Sequence, residues 1–248
     1  MSSLDSIARE ASRLLRESKY AVVFTGSGIS AEAGIPTFRG KDGLWNKYRP
    51  EELATPAAFA TNPLRVWKWY AWRIGLVLRA QPTIAHRAIA ELEEMGIVKA
   101  VVTQNVDGLH QRAGSKNVIE LHGSIMRARC TECGYKWQIE RQPSDEELPL
   151  RCPKCNALAR PDVVWFGEPL PSDALYAAYR EFSKADLVVI VGTSGVVEPA
   201  GSMPLITLRN GGKLINVNLE RNRYSGIATI SYHGKSSEFF KKLMSLMR

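Results

Sequence analysis

Four short, almost unbroken apolar runs do most to limit how this chain can fold. They are Tyr20-Ala-Val-Val-Phe-Thr25, Ile97-Val-Lys-Ala-Val-Val-Thr103, Asp186-Leu-Val-Val-Ile-Val191 and Lys213-Leu-Ile-Asn-Val-Asn218. Their length and β-branched content read as buried strands. Residues 4–18, 84–95 and 236–248 instead carry apolar side chains at helical spacing, as in Leu4, Ile7, Ala8, Ala11, Leu14 and Leu15. Strands that alternate with helices and end in Gly or polar residues predict an α/β chain with a Rossmann-like parallel sheet. Ligands of such sheets lie beyond the carboxyl ends of the strands. Residues 35–80, with four of the six tryptophans, and residues 127–160, with all the cysteines, break the rhythm. Both read as insertions that together make a smaller lobe. The expected division is 1–36, 81–126 and 161–248 for the sheet domain, 37–80 for a helical insertion and 127–160 for a zinc-binding module.

The cysteines are Cys130, Cys133, Cys152 and Cys155: two C-x2-C pairs separated by 18 residues. No secretory leader is expected before them, since the N-terminal MSSLDSIARE lacks an apolar core and is acidic by its fifth residue. A disulfide framework is therefore not expected, and the spacing fits one tetrahedral zinc ion on four thiolates. Four sulfur ligands leave no open position, so the metal is structural. The clearest apolar runs are five residues long, whereas a membrane-spanning helix needs about 20. The expected location is cytoplasmic, with no membrane partner. Net charge is +8, but residues 127–160 carry seven Lys/Arg against five Asp/Glu, a net of only +2. The cysteine module is thus not a DNA-binding surface by charge, and nucleic acid is not a required partner.

Directly after the first run comes Thr25-Gly-Ser-Gly-Ile-Ser-Ala31, in which Gly26, Gly28 and Ala31 fit G-x-G-x-x-A. Glycines there let backbone approach a pyrophosphate. The acidic residue that a dehydrogenase places about 20 positions on is missing, because that region reads Trp45-Asn-Lys-Tyr48. Thr103-Gln-Asn-Val-Asp-Gly-Leu-His110 ends a strand, so Gln104, Asn105 and Asp107 cluster where a ligand would lie; an ordinary Asn/Asp/Gly turn explains the segment equally well. His122, in Glu120-Leu-His-Gly123, is placed either as a structural imidazole or as a general base facing the cleft. Gly192-Thr-Ser194 ends another strand and offers amides and hydroxyls to a phosphate, and Asn216 and Asn218 alternate near the end of the last one.

Taken together and in order, these motifs resemble the sirtuins, NAD-dependent protein lysine deacylases. The resemblance rests on Thr25–Gly40 (TGSGISAEAGIPTFRG), Thr103–His110, Leu121-His-Gly123, the four cysteines, Pro161-Asp-Val-Val-Trp-Phe-Gly-Glu168, Gly192-Thr-Ser194 and Val217-Asn218. It implies NAD as co-substrate and one structural zinc. It implies that Gly26, Ser27, Gly28, Ala31 and Glu32 line the diphosphate, and that Phe38 and Arg39 cover the nicotinamide ribose from a cofactor loop. Gln104 would touch that ribose, and Asn105, Val106 and Asp107 the nicotinamide pocket. Gly192, Thr193, Ser194 and Asn218, with Asn216 as its alternate, would hold the adenosine half, with Lys235 near the adenine.

The implied reaction releases nicotinamide as the acyl-lysine oxygen attacks the ribose carbon to form an imidate. His122 acts as base on a ribose hydroxyl, Asn105 is the second catalytic residue, and the products are free lysine, nicotinamide and O-acyl-ADP-ribose. The peptide would add as a strand between Val164, Phe166, Gly167 and Glu168 on one side and Gly195, Val196 and Glu198 on the other. Gly195 stands where Leu is common in the family, implying a wider groove. Tyr70 and Arg73, one helical turn apart, resemble the Tyr-x-x-Arg pair with which class III sirtuins bind the carboxylate of succinyl- or malonyl-lysine, with Ala54 leaving room. Mono-ADP-ribosyl transfer on the same scaffold is the alternative activity.

Overall fold

The computed structural model describes residues 4–40 and 43–248. Residues 1–3 of the first expected segment and 41–42 of the expected helical insertion lie outside the described residues. In chain order the elements are α1 (Leu4–Glu17), β1 (Ala21–Thr25), a 3₁₀ turn (Ser27–Ala33), α2 (Pro50–Leu53), α3 (Pro56–Thr61), α4 (Pro63–Arg79), α5 (Ile84–Glu94), β2 (Val98–Thr103) and α6 (Leu109–Ala113). These are followed by β3 (Val118–Glu120), β4 (Gly123–Cys130), β5 (Lys136–Gln138), β6 (Ala159–Val163), α7 (Ser172–Lys184), β7 (Leu187–Val191), α8 (Pro204–Arg209), β8 (Lys213–Asn218), β9 (Ile230–His233) and α9 (Ser236–Met247).

The four apolar runs form β1, β2, β7 and β8. With β3 and β9 they make a six-stranded parallel sheet in the order β3-β2-β1-β7-β8-β9. Strand alternation decides which face each side chain covers. Val23, Val189 and Ile215 pack with Leu14, Leu15, Ile89, Phe240 and Leu243 of α1, α5 and α9. Val22, Phe24, Val188 and Ile190 pack on the other face against Ala178 and Phe182 of α7. Burial on both faces is why these strands read as continuous apolar runs. Strand order reverses between β1 and β7, so a crevice opens at their carboxyl ends, where the Gly26 and Gly192 turns stand.

The smaller lobe has its own core. β5-β4-β6 form an antiparallel sheet. Its Ile125, Ala128 and Val163 pack with Trp67, Trp69, Tyr70 and Ile74 of α4 and with Trp165. Trp67 is fully buried and its Nε1–H donates to the Ala159 carbonyl at 2.7 Å. Both β4 and β6 cross the boundaries expected at 126/127 and 160/161. Gly123 pairs with Val163 and Ser124 with Asp162, so residues 123–126 and 161–163 lie in the small sheet. β6 hides from apolar patterning because it reads Ala-Arg-Pro-Asp-Val, yet all five residues are buried. Its polar side chains are satisfied by neighbours: Asp162 meets Arg127 at 3.2 Å and Lys136 at 3.1 Å, and Arg160 meets Glu168 at 2.6 Å. No helix among the described residues is long and apolar enough to cross a membrane.

Candidate active site

A cleft of about 1190 Å³ runs between the two sheets. Its large-sheet wall begins with two interlocked turns. Gly26 N–H donates to the Val191 carbonyl at 3.0 Å, and Gly28 N–H to the Gly192 carbonyl at 2.8 Å. A Cβ on Gly28 would stand 2.7 Å from Gly192 Cα and 2.8 Å from its oxygen, and Gly192 itself has φ 64°. No other residue type fits either position without separating β1 from β7. Ser27, Ala31, Phe38, Arg39, Thr193 and Ser194 complete this part of the lining. Glu32 also lines the cleft, but its carboxylate is engaged at the start of α9, accepting from Ser237 N–H at 3.1 Å and from the Ser236 and Ser237 hydroxyls.

The polar residues after β2 converge. Asn105 Nδ2 donates to the Gly26 carbonyl at 3.0 Å and lies 3.3 Å from Ser30 Oγ, which donates to Asp107 at 2.7 Å. Leu109 N–H donates to the other Asp107 oxygen at 2.9 Å. Burial raises the Asp107 pKa, and these hydrogen bonds oppose that rise. Asn105, Val106 and Gln104 line the main cleft, whereas Asp107 lines a small recess opening beside Asn105 and Arg73. Gln104 Nε2 donates to Thr193 Oγ1 at 2.9 Å, tying the β2 turn to the β7 turn.

His122 lies in the cleft wall between the sheets. Its Nδ1 is 2.9 Å from the Gln104 carbonyl, which only accepts, so Nδ1 carries the proton and Nε2 keeps a free lone pair. Burial pulls its pKa below the ordinary imidazole value. A neutral, oriented imidazole with a free nitrogen is what a general base requires.

At the other end, Asn218 and Lys235 line the cleft, but Asn216 does not. Asn216 is fully buried, its amide exchanging hydrogen bonds with Asn222 at 2.9 Å. Asn222 in turn donates to the Thr193 carbonyl at 2.8 Å. Asn216 therefore braces the turn from behind, and its expected cofactor contact is corrected. Sequence reasoning missed Asn222, which lines the cleft from the Arg-Asn-Arg loop after β8.

On the small-lobe side, Tyr70 and Arg73 both reach the cleft from α4. Arg73 does not snorkel to solvent. It is 8% exposed, with its guanidinium 4.6 Å from the Trp69 ring centroid, 4.8 Å from Phe38 and 5.4 Å from Tyr70. No carboxylate among the described residues forms an ion pair with it, and burial lowers its pKa. Ala54 lines the same pocket. Val164, Phe166 and Glu168 line the cleft, with Val164 N–H held by the His122 carbonyl at 3.0 Å and Phe166 N–H by the Ala54 carbonyl at 2.9 Å. Gly167 and Val196, expected at the peptide groove, stand outside the lining; Val196 is 58% exposed. Gly195 has φ 75°, and a Cβ there would meet the Tyr224 ring at 2.6 Å, so the ring beneath it, not groove width, requires glycine. Glu198 is paired with Arg223 and accepts from Ser202 N–H at 3.1 Å.

The cysteine sulfurs gather beyond β4. Cys130 and Cys155 Sγ lie 3.4 Å apart, Cys133 lies 3.6 Å from both Cys152 and Cys155, and all four fall within 4.8 Å. Thiolates at about 2.3 Å from a tetrahedral zinc would be separated by about 3.8 Å, so the cluster fits that ion. Amides of Glu132 and Cys133 point at Cys130 Sγ, and that of Lys154 at Cys152 Sγ, each at 3.4 Å. They favour thiolate charge, and no sulfur forms a disulfide.

A model of the Sir2 family matches residues 26–199. An NAD-dependent protein deacylase of Aeropyrum pernix is 55% identical over 96% of each chain. A solved Sir2 homologue–NAD complex superposes with TM-score 0.92 at 53% identity, covering 97% of this chain and 93% of that one. A Sir2–p53 peptide–NAD+ structure gives TM-score 0.86 at 41% identity, covering 96% and 97%.

Proposed function

The chain belongs to the Sir2 family, and from that premise we propose that it is an NAD-dependent protein lysine deacylase that accepts acidic acyl groups as well as acetyl. Relatives named as NAD-dependent deacylases and the Gly26–Ala31 turn facing Gly192–Ser194 support NAD as co-substrate. When bound, NAD would supply the ribose carbon that takes the acyl oxygen as nicotinamide leaves; one water is consumed in freeing the lysine amine, so acyl-lysine, NAD and water would give nicotinamide, O-acyl-ADP-ribose and free lysine.

The chain's own part is binding, orientation and proton transfer. The Gly26–Gly28 backbone, Thr193 and Ser194 hold the diphosphate and adenosine ribose, Asn218 and Lys235 the adenosine end. Phe38, Arg39 and Gln104 frame the reacting ribose, and Asn105, with Ser30 and Asp107 behind it, receives the carboxamide. His122 Nε2 removes the ribose hydroxyl proton. Val164, Phe166 and Glu168 form one wall for the peptide. The four thiolates hold one structural zinc, which takes no part in the reaction.

The acyl preference is carried by one observation: the Arg73 guanidinium is buried among the Phe38, Trp69 and Tyr70 rings, with no carboxylate among the described residues in ion-pair contact with it. A buried charge left unpaired is costly, and a ligand carboxylate would complete it. The test is mass spectrometry of purified protein with NAD and matched acetyl- and succinyl-lysine peptides. Arg73→Met should lower desuccinylation at least tenfold more than deacetylation. Equal losses on both peptides would refute acidic-acyl recognition, and label from NAD appearing on protein without deacylation would favour ADP-ribosyl transfer.

A further inference from the structure

Trp165 stands where three parts of the small lobe meet. The Arg160 guanidinium covers its indole at 3.4 Å from the ring centroid, and the Phe59 and Tyr70 rings pack at 5.2 Å and 6.4 Å. Arg160 is itself fixed by Glu168, at 2.6 and 2.9 Å, and by the Val163 carbonyl at 2.9 Å. Trp165 N–H donates to the same Glu168 carboxylate at 2.8 Å. Ring and backbone are therefore clamped together.

The clamped indole has one polar atom, and it is spent on Tyr70: Nε1–H donates to the Tyr70 hydroxyl oxygen at 2.9 Å. An indole N–H cannot accept, so the phenol must turn its own proton elsewhere. No acceptor for that proton is found among the described residues, and neighbouring Arg73 offers only donors. Burial raises the Tyr70 pKa, which keeps the proton in place.

We propose that Trp165 is a positioning residue for acyl specificity: its indole N–H holds the Tyr70 hydroxyl so that the O–H points, beside Arg73, at the terminal carboxylate of the acyl group. This rests on the acidic-acyl reading above. An acetyl group has no acceptor at that place, so the benefit is confined to acyl chains that end in one. Without the indole N–H the hydroxyl oxygen keeps only the Arg73 donor and is held less firmly, and the loss falls on succinyl-peptide KM.

The experiment is steady-state deacylation at saturating NAD by the wild-type chain, Trp165→Phe, Tyr70→Phe and the double variant, on succinyl and acetyl peptides. Trp165→Phe should lower the succinyl-to-acetyl ratio of kcat/KM about tenfold, mainly through succinyl KM. In the Tyr70→Phe background the same change should alter that ratio less than about twofold, because the hydroxyl it acts through is gone. Should the phenylalanine variant fold poorly, 3-benzothienylalanine in place of Trp165 keeps the bicyclic shape, lacks the N–H, and should give the same shift. A wild-type ratio in either replacement, or an equal loss in the Tyr70→Phe background, overturns the role of Trp165 alone. A wild-type chain without Arg73-dependent desuccinylation overturns the acidic-acyl reading and this inference with it.

Discussion

The most direct perturbation is at His122. Its Nδ1 is committed to the Gln104 carbonyl at 2.9 Å, so the ring cannot rotate or exchange tautomers without breaking that bond. Only Nε2 is available for proton transfer. Alanine removes that nitrogen, and general bases contribute about 10²- to 10⁴-fold. We therefore expect His122→Ala to lower the deacylation rate by about that factor while NAD binding, which rests on the Gly26–Gly28 and Gly192–Ser194 turns, survives. The pH profile sharpens the test. Burial lowers the His122 pKa, so the base is active above that depressed value and is lost only as pH falls through it. An ordinary imidazole, with pKa about 6.5, would be about one quarter neutral at pH 6.0. The activity assigned to this base at pH 6.0 should therefore exceed about one quarter of its plateau. The assay is kcat/KM for an acetyl peptide from pH 5.5 to 8.5, with NAD affinity of the variant by calorimetry. A loss below tenfold, or an acidic limb centred above the ordinary imidazole value, would refute His122 as the base.

Two other outcomes follow from the geometry. Gly28→Ala should separate the β1 and β7 turns, because its Cβ would sit 2.7 Å from Gly192 Cα. Overpacking of about 1–3 kcal/mol, at roughly 2–4 °C per kcal/mol for a chain this size, predicts a melting point about 2–12 °C lower, together with weakened NAD binding; an unchanged melt and affinity would count against the interlock. Elemental analysis should find one zinc per chain, and its removal by a chelator should lower the melting point; a metal-free chain with an unaltered melt would remove zinc from the fold.

How far the sequence could be read depended on whether the deciding partners were local. β1, β2, β7 and β8 were visible because strands buried on both faces must be apolar throughout. The cysteine cluster was visible because two tight knuckles fix ligand spacing within four residues. β6 was not, because Arg160, Pro161 and Asp162 look like loop until Arg127, Lys136 and Glu168 are placed around them. The segment boundaries failed to match the small sheet for the same reason. Asn216 and Asn218 share one strand face, and only the loop through Asn222 covers the first and leaves the second in the cleft. Tyr70 and Arg73 were legible as neighbours on a helix. Their burial beside Trp165 was not, since that ring arrives from 95 residues away.

The place of His122 in the chain bears on how such proteins can be recombined. Leu121 and His122 are the whole connection between β3 and β4. Leu121 N–H donates to Thr103 of the large sheet, and the His122 carbonyl accepts from Val164 beside the small one. Gly123 then turns with φ 76°, where a Cβ would strike the Asp162 oxygen at 2.1 Å. The base thus belongs to the seam and to neither lobe. A chimera that trades the small lobe for a relative's has no free crossover point at this joint: residues 121–123 must come with partners that fit them on both sides, whereas the turn between β4 and β5 leaves the seam intact.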